Sequence, residues 1–284
     1  MRQSLRIGGV GFSLAGLPQH GLPVPFDAFG ARLTTPDVSL DVLREAPPPL
    51  AGPVRADGRI WRLIDDGAQQ RLEFASPLGD WTPRLAVHMD ARWSTGTLWM
   101  DPAHVSPFTQ AAPLAGPLGE LLLMAQLQGV GLYVHGSAAR WPDGVDVFLG
   151  SSGAGKTTLA GIAAAHGARI LSDDRTVLRV ESGRLYAYGT PFHGTGRAWA
   201  IDRAPVRGLF FLEKSPETGL RRMATLDAAA RLASVCFTRF WERDAIEATL
   251  ASGADAVSRV AVHALRFRPD ASAVDALELA AHAA

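Results

Sequence analysis

Hydrophobic and polar residues alternate along short segments in the first part of the chain, and turn-forming residues separate these segments. Alternation with a period of two is typical of strands that bury one face of a sheet, and Pro, Gly and Asp mark the turns between them. The pattern predicts a β-rich N-terminal region over residues 1–112, with a first strand from Leu5 to Leu14. Further strands are expected at residues 59–64, 70–74, 84–88 and 92–100.

From about residue 113 the pattern changes to apolar strands that alternate with helices. Pro117 suits the first turn of a buried helix, Glu120 suits its positive end, and Gly129 ends it. Turns at residues 142–144 and 181–183 predict hairpins, so the sheet is mixed rather than purely parallel. The expected strands cover residues 132–135, 145–149, 169–172, 176–180, 184–188, 208–212 and 259–267, and the expected helices cover 156–165, 226–236, 239–251 and a final segment from 272.

This order predicts an α/β (α+β) fold in which residues 113–284 form a second domain. With 28 basic and 28 acidic residues the formal charge is zero, which argues against broad attraction to nucleic acid or to an anionic membrane. The single cysteine, Cys236, excludes an intramolecular disulfide and a cysteine-based zinc site. No segment has the roughly 18 uninterrupted apolar residues that span a bilayer, and the protein is expected in the cytoplasm.

One of the two lysines in the chain, Lys156, belongs to the segment Gly-Ser-Ser-Gly-Ala-Gly-Lys-Thr at residues 150–157. This is the G-x-x-x-x-G-K-[ST] pattern, in which backbone N–H groups and a helix N-terminus surround phosphates and a compact ammonium reaches between them. The motif predicts a P-loop nucleotide-binding core that uses ATP and Mg²⁺. The expected nucleotide ligands are Gly150, Ser151, Ser152, Gly153, Ala154, Gly155, Lys156, Thr157 and Thr158.

Two carboxylates, Asp173 and Asp174, follow the predicted strand at residues 169–172. A P-loop protein needs carboxylates at this point to hold Mg²⁺ together with Thr157 or to orient a nucleophile. Adjacent residues of a regular strand point to opposite faces, so both carboxylates enter one site only if the strand ends or bulges there. In the alternative, one of them is a solvated turn residue.

Other polar residues have less specific surroundings. His135 precedes the P-loop strand, and taken alone it fits a packing role as well as a functional one. His193 lies in a glycine-rich segment that forms either the mouth of a substrate site or an ordinary loop. Arg197, Arg203 and Arg207 follow, and any one of them is a candidate to stabilise a transferring phosphoryl group. The remaining histidines lack metal-ligand spacing, which predicts no zinc site.

The segments Val134-His135-Gly136, residues 150–157 and residues 170–174 resemble, in order and spacing, the C-terminal domain of HPr serine kinase/phosphorylase, whose nucleotide core is related to phosphoenolpyruvate carboxykinases. Residues 190–194 resemble the shorter HPr kinase-like tailoring kinases of lasso-peptide and other peptide natural-product clusters. The resemblance covers about residues 115–215. The N-terminal region departs from authentic HPr kinases, and the chain lacks their HPr-docking segment.

The resemblance implies that Asp173 is the base that accepts the proton of a serine hydroxyl and that Asp174 is the carboxylate on the Mg²⁺ side. It places His135 in the active site with Lys156. The segment with His193, Gly194 and Arg197 is the corresponding candidate for substrate contacts. The implied partner is a peptide or protein with a serine hydroxyl; a homo-oligomer stays open.

The sequence therefore predicts a Mg·ATP-dependent serine kinase of a peptide or protein. A kinase for a small-molecule hydroxyl is one alternative. A nucleotide-binding regulatory protein or a transport ATPase is another, although the chain has neither an L-S-G-G-Q segment nor an apolar strand that ends in Asp-Glu.

Overall fold

The computed structural model describes residues 2–18, 21–65, 70–75 and 81–282. The chain is a mixed α/β protein of the α+β type, with two mixed sheets and six α-helices among the described residues. It divides into two compact units, Met1–Gln126 and Leu127–Ala284. No helix within the described ranges is long and apolar enough to cross a membrane.

The N-terminal unit contains one eight-stranded sheet in the order β1-β2-β3-β8-β7-β6-β5-β4. Strand β3 pairs in parallel with β2 and β8, and the other pairs are antiparallel. Its strands are β1 (Arg2–Ile7), β2 (Val10–Ala15), β3 (Val38–Leu43), β4 (Val54–Asp57), β5 (Trp61–Asp65), β6 (Gln70–Phe74), β7 (Leu85–Met89) and β8 (Thr95–Met100), followed by helices α1 (Pro107–Ala111) and α2 (Pro117–Leu127).

The predicted first strand was wrong, because residues 5–14 belong to a hairpin of β1 and β2. Gly8 and Gly9 connect the two strands with φ values of 58° and 85°. Two successive residues with positive φ form the tight turn whose twist matches an antiparallel pair, and glycine adopts that conformation without a steric penalty. The Gly-Gly pair is therefore a turn signal rather than part of a strand.

The predicted alternation of the later strands is confirmed in the register of β5 to β8. Leu63, Leu72, Val87 and Leu98 stand opposite one another on successive strands, and each is at most 1% exposed. This row buries one face of the sheet. The residues before and after them in each strand point to the other face of the sheet, so the two faces differ in the side chains that they carry.

The C-terminal unit contains a nine-stranded sheet with helices on both faces. Its strands are β9 (Leu132–Trp141), β10 (Gly144–Leu149), β11 (Arg169–Ser172), β12 (Arg175–Glu181), β13 (Arg184–Tyr188), β14 (Arg203–Lys214), β15 (Gly219–Arg222), β16 (Cys236–Phe237) and β17 (Val262–Phe267). Its helices are α3 (Lys156–Ala165), α4 (Thr225–Ala233), α5 (Arg243–Ser258) and α6 (Ser272–His282).

Strand β10 lies in the middle of this unit, antiparallel to β9 and parallel to β14. All six of its residues are buried, as expected for a strand that is covered on both faces. Val147 packs in the apolar cluster that includes residues of α4 and α5, and Phe148 packs in the cluster that includes residues of α3 and α6. The segment that follows Leu149 therefore leaves a rigid, buried strand.

An ion pair is buried near the start of β10. Arg207 donates to both carboxylate oxygens of Asp146 at 2.9 Å, and the indole of Trp141 donates to Asp146 Oδ2 at 2.9 Å. The side chains of Arg207 and Asp146 are 9% and 1% exposed. Because both charges are removed from water, each needs the other to offset the cost of its desolvation.

Replacing Arg207 by Met is expected to lower the free energy of unfolding by about 3 kcal/mol, because it leaves the Asp146 carboxylate buried without its counter-ion. Chemical denaturation followed by circular dichroism measures the change. Arg203→Met is the matched control on the same strand, since Arg203 is 50% exposed in its pair with Glu181 and should cost less than about 1 kcal/mol. Equal losses in the two variants would contradict the assigned role of the buried pair.

Candidate functional site

The glycine-rich loop at residues 150–155 connects the end of β10 to the start of α3, as the sequence predicts. Gly153 and Gly155 have φ values of 77° and 105°, which residues with a side chain rarely adopt. A Cβ on Gly155 would lie 2.8 Å from the ring of Phe267. The loop thus has the backbone of a tight turn against the end of β17.

The loop is open to solvent at the N-terminus of α3. Ser151, Ser152, Thr157 and Thr158 are all exposed. The first N–H groups of a helix have no partner within the helix, and the helix dipole makes this end positive. Exposed hydroxyls, free amides and a positive end together suit an anion such as a phosphate chain.

Lys156 lies back across this loop and is 5% exposed. Its Nζ donates to the carbonyl oxygens of Gly150 at 2.9 Å and Ser151 at 3.0 Å. Burial lowers the pKa of Lys156, and the nearby carboxylate of Asp174 opposes that change. An ammonium has three donors, so these two contacts hold the group in place and leave one for a ligand.

Asp173 and Asp174 occupy the junction between β11 and β12, both of which pair with β9. Ser172 Oγ donates to the carbonyl of Arg175 at 2.6 Å and accepts from its N–H at 3.1 Å. Thr190 Oγ1 also donates to that carbonyl, at 2.6 Å. The strand is therefore interrupted at the two carboxylates, the condition under which both can face one site.

Asp174 is held by His135 and Arg175. His135 Nε2 lies 3.0 Å from Asp174 Oδ1, and Arg175 pairs with the other oxygen. Burial tends to raise the pKa of Asp174, but the hydrogen bond with His135 and the charges of Arg175 and Lys156 together lower it below its ordinary value. Asp174 is thus a firmly ionised carboxylate close to Lys156.

Asp173 is 2% exposed, and its two carboxylate oxygens have different surroundings. Its Oδ1 accepts from the N–H of Gly194 at 2.9 Å, whereas its Oδ2 is buried with no hydrogen-bond partner among the described residues. A Cβ on Gly196 would lie 2.6 Å from that Oδ2 and 3.1 Å from Thr157 Cγ2. The free oxygen of Asp173 and the side chain of Thr157 therefore border the same point of the glycine-rich segment.

The predicted substrate residues His193, Gly194 and Arg197 lie on the glycine-rich segment that contacts Asp173. Gly194 contacts Asp173 directly, and His193 and Arg197 are exposed beside it. Arg197 has a φ of 53°. The guanidinium groups of Arg203 and Arg207 are instead bound to the carboxylates of Glu181 and Asp146. Of the three candidate arginines, Arg197 is the one that directly follows Gly196, the glycine that lies close to Asp173.

Sequence reasoning missed Arg175 and Phe237. The guanidinium of Arg175 lies 4.4 Å from the ring centroid of Phe237, and the ring of His135 lies 6.0 Å from it. Strand β16 brings Phe237 there by pairing with β9. Arg175 directly follows Asp173-Asp174 and could have been identified from the sequence. No local signal links Phe237 to His135 or Asp174, because both lie far from it along the chain.

The oxygen donors of this site suit Mg²⁺. No group of three or more His, Cys, Asp and Glu residues suited to a metal ion occurs in the described part of the chain. Mg²⁺ nevertheless commonly binds one or two carboxylates together with the phosphates of a nucleotide. The hydroxyl of Thr157 and the ionised carboxylate of Asp174 are hard oxygen ligands of this kind. The partnerless oxygen of Asp173 lies beside Thr157 and is left for a different role.

Comparison with known proteins leaves the family open. No protein-family model matches the chain, and no curated protein matches it significantly. Any assignment therefore rests on the motif residues, their order and the geometry described above.

Proposed function

We propose that this chain is a Mg·ATP-dependent kinase that transfers the γ-phosphoryl group to a serine hydroxyl of a peptide or protein. The observation that carries the proposal is the meeting of an open, glycine-rich helix N-terminus with an ionised and a partnerless carboxylate, Asp174 and Asp173. Phosphoryl transfer needs mostly positioning and charge stabilisation, which such an arrangement can supply.

The donor side consists of residues 150–158. In the proposed complex the loop amides and the positive end of α3 hold the phosphate chain, and Lys156 places its remaining N–H between the β- and γ-phosphates. Thr157 and Asp174 are the proposed ligands of Mg²⁺, which would neutralise charge on the phosphates when bound. The hydrogen bonds of Lys156 to the loop hold the ammonium in position before the nucleotide arrives.

The acceptor side centres on Asp173. Its Oδ1 is held by the Gly194 N–H, so Oδ2 is the oxygen that can accept the proton of the serine hydroxyl. The serine oxygen then attacks the γ-phosphorus, the bond to the β,γ-bridging oxygen breaks, and ADP leaves. His135 hydrogen-bonds Asp174 rather than Asp173, so we assign it to hold the neighbouring carboxylate ionised and oriented.

The acceptor class follows from the family resemblance. His135-Gly136, residues 150–157 and Asp173-Asp174 keep the order found in HPr kinase-like proteins with a phosphoenolpyruvate carboxykinase-like P-loop core, and the α+β fold is compatible with that core. We therefore propose a cytoplasmic tailoring kinase whose substrate is a peptide natural-product precursor of the lasso-peptide kind.

Transfer of label from [γ-³²P]ATP tests this function. A serine-containing precursor peptide should become labelled only with Mg²⁺ present, and the same peptide with Ser replaced by Ala should not. Sugars and free amino acids serve as competing acceptors. Labelling of a small molecule in place of the peptide, or ATP hydrolysis with no labelled acceptor, would contradict the proposal.

Gly196→Ala is expected to reduce phosphoryl transfer by about a hundredfold, because a displacement of about 1 Å near the reacting groups has an effect of this size. The new methyl group would meet Asp173 Oδ2 and the Thr157 side chain, so the segment must move away from them. Initial rates at saturating ATP measure the loss. Gly161→Ala is the matched control, since a Cβ there meets no atom within 4 Å. Equal rates for the two variants would show that the close approach of Gly196 to Asp173 and Thr157 is not needed for transfer.

A further inference from the structure

The polar face of the N-terminal sheet contains a buried cluster of charges. The side chains of Arg71 and Glu73 are 1% and 2% exposed, and Arg71 Nη2 lies 2.8 Å from Glu73 Oε1. Arg62 Nη2 lies 2.7 Å from the other oxygen of Glu73. One carboxylate is thus shared by two guanidinium groups, which leaves positive charge only partly balanced.

Arg71 is incompletely satisfied in this position. Its Nη1 donates to the carbonyl of Pro48 at 2.5 Å, but its Nε is buried with no acceptor among the described residues. Burial lowers the pKa of Arg71, although the charge of Glu73 opposes this. A buried cation is costly unless it is fully paired, so a further anion nearby would stabilise this cluster.

A cavity of about 590 Å³ adjoins the cluster. Arg84, Asp101 and His104 also line it, and Asp101 accepts a hydrogen bond from His104 at 2.6 Å. The described lining residues carry three guanidinium groups against two carboxylates. The arginines therefore exceed the carboxylates by one positive charge, which matches a monoanion such as a carboxylate better than a dianionic phosphate.

A second cavity, of about 450 Å³, shares Arg84 and His104 with the first but is mainly apolar. Phe108, one of its walls, is 50% exposed. The apolar side chains that line it are those of Ile60, Phe74, Leu85, Val105, Phe108 and Leu118. The adjacent cavities thus offer a place for an apolar group next to a place for its negative charge.

We infer that the N-terminal unit binds an apolar ligand that carries a carboxylate. The carboxylate lies among Arg62, Arg71 and Arg84, and the apolar part occupies the neighbouring cavity. Arg84 joins the two cavities and is exposed. Its Nη1 donates to the carbonyl of His104 at 3.5 Å, so its Nε and Nη2 are the edge for the bidentate contact that guanidinium groups make with carboxylates. Such a ligand is either the C-terminal residue of a peptide or a small apolar acid, and this inference does not depend on the kinase activity.

Ligand-observed NMR titrations of the full chain, without nucleotide, test the site. The probes are 3-phenylpropionic acid, its primary amide, and acetyl-Ala-Ala-Phe as free acid and as amide. Each acid should bind at least about tenfold more tightly than its amide, the size expected for one charge-assisted pair. Tighter binding of the tripeptide acid identifies a peptide C-terminus as the source, and tighter binding of phenylpropionic acid identifies a small apolar acid.

Variants separate charge recognition from apolar packing. Arg84→Gln should abolish the preference for acids, Phe108→Ala should weaken acids and amides alike, and Arg92→Gln, at an exposed arginine outside both cavities, should change neither. Lys156→Ala should retain all binding, which keeps this result distinct from failure of the proposed kinase function. Absence of binding by both acids, equal binding of acid and amide, or equal effects of the Arg84 and Arg92 variants would overturn the inference.

Discussion

Lys156→Ala is expected to abolish measurable ATP binding and to lower phosphoryl transfer by about 10³-fold, the upper range for loss of one preorganised donor to a developing charge. The ammonium of Lys156 donates to two loop carbonyls next to the N-terminus of α3. Alanine removes both the charge and the group that organises the loop. Calorimetric titration with ATP and label transfer to a serine peptide measure the two effects separately.

The other lysine of the chain provides the control. Lys214 lies at the exposed end of β14, so Lys214→Ala removes the same charge from the protein without changing the loop. It should bind ATP and transfer phosphate like the unmodified chain. If both variants lost ATP binding equally, or if Lys156→Ala kept it, the assignment of residues 150–157 to a phosphate site would be wrong.

The elements around the loop could be predicted closely because their signals are local. The continuous apolar run at residues 145–149, the glycines after it and the helical stretch at 156–165 predict β10, the loop and α3, and the structure has the same helix bounds. Strand β11 is likewise found at the predicted residues 169–172. In each case the residues that determine the element lie within the element or directly beside it.

The relative placement of the site residues depends on pairing between distant strands. Strand β9 pairs with β10, β11, β12 and β16, and this pairing brings His135, Asp174 and Phe237 together. The turn signals predicted the hairpin partners, but nothing in the local pattern predicted that β16 would join the same strand. The two aspartates could be identified as a pair from the sequence. Their different hydrogen-bond partners could be identified only from the structure.

Those partners explain why the two carboxylates should respond differently to substitution. Asp173→Asn is expected to retain ATP binding and to lower phosphoryl transfer by about 10³-fold, within the range for loss of a general base. The amide keeps an oxygen for the Gly194 N–H but has no basic oxygen to replace Oδ2. ATP titration and single-turnover transfer, measured on the same preparation, check the two parts of the expectation.

Asp174→Asn should instead weaken Mg·ATP binding, because it removes the ionised partner of His135 and Arg175 and the proposed metal ligand near Lys156. Raising the Mg²⁺ concentration should therefore recover part of the transfer in Asp174→Asn and none of it in Asp173→Asn. Asp143→Asn, at a carboxylate that is 61% exposed, controls for loss of one negative charge. If Asp173→Asn transferred phosphate at the unmodified rate, or if Mg²⁺ rescued both variants alike, Asp173 would not be the base, because the free Oδ2 would have no chemical role that asparagine cannot fill.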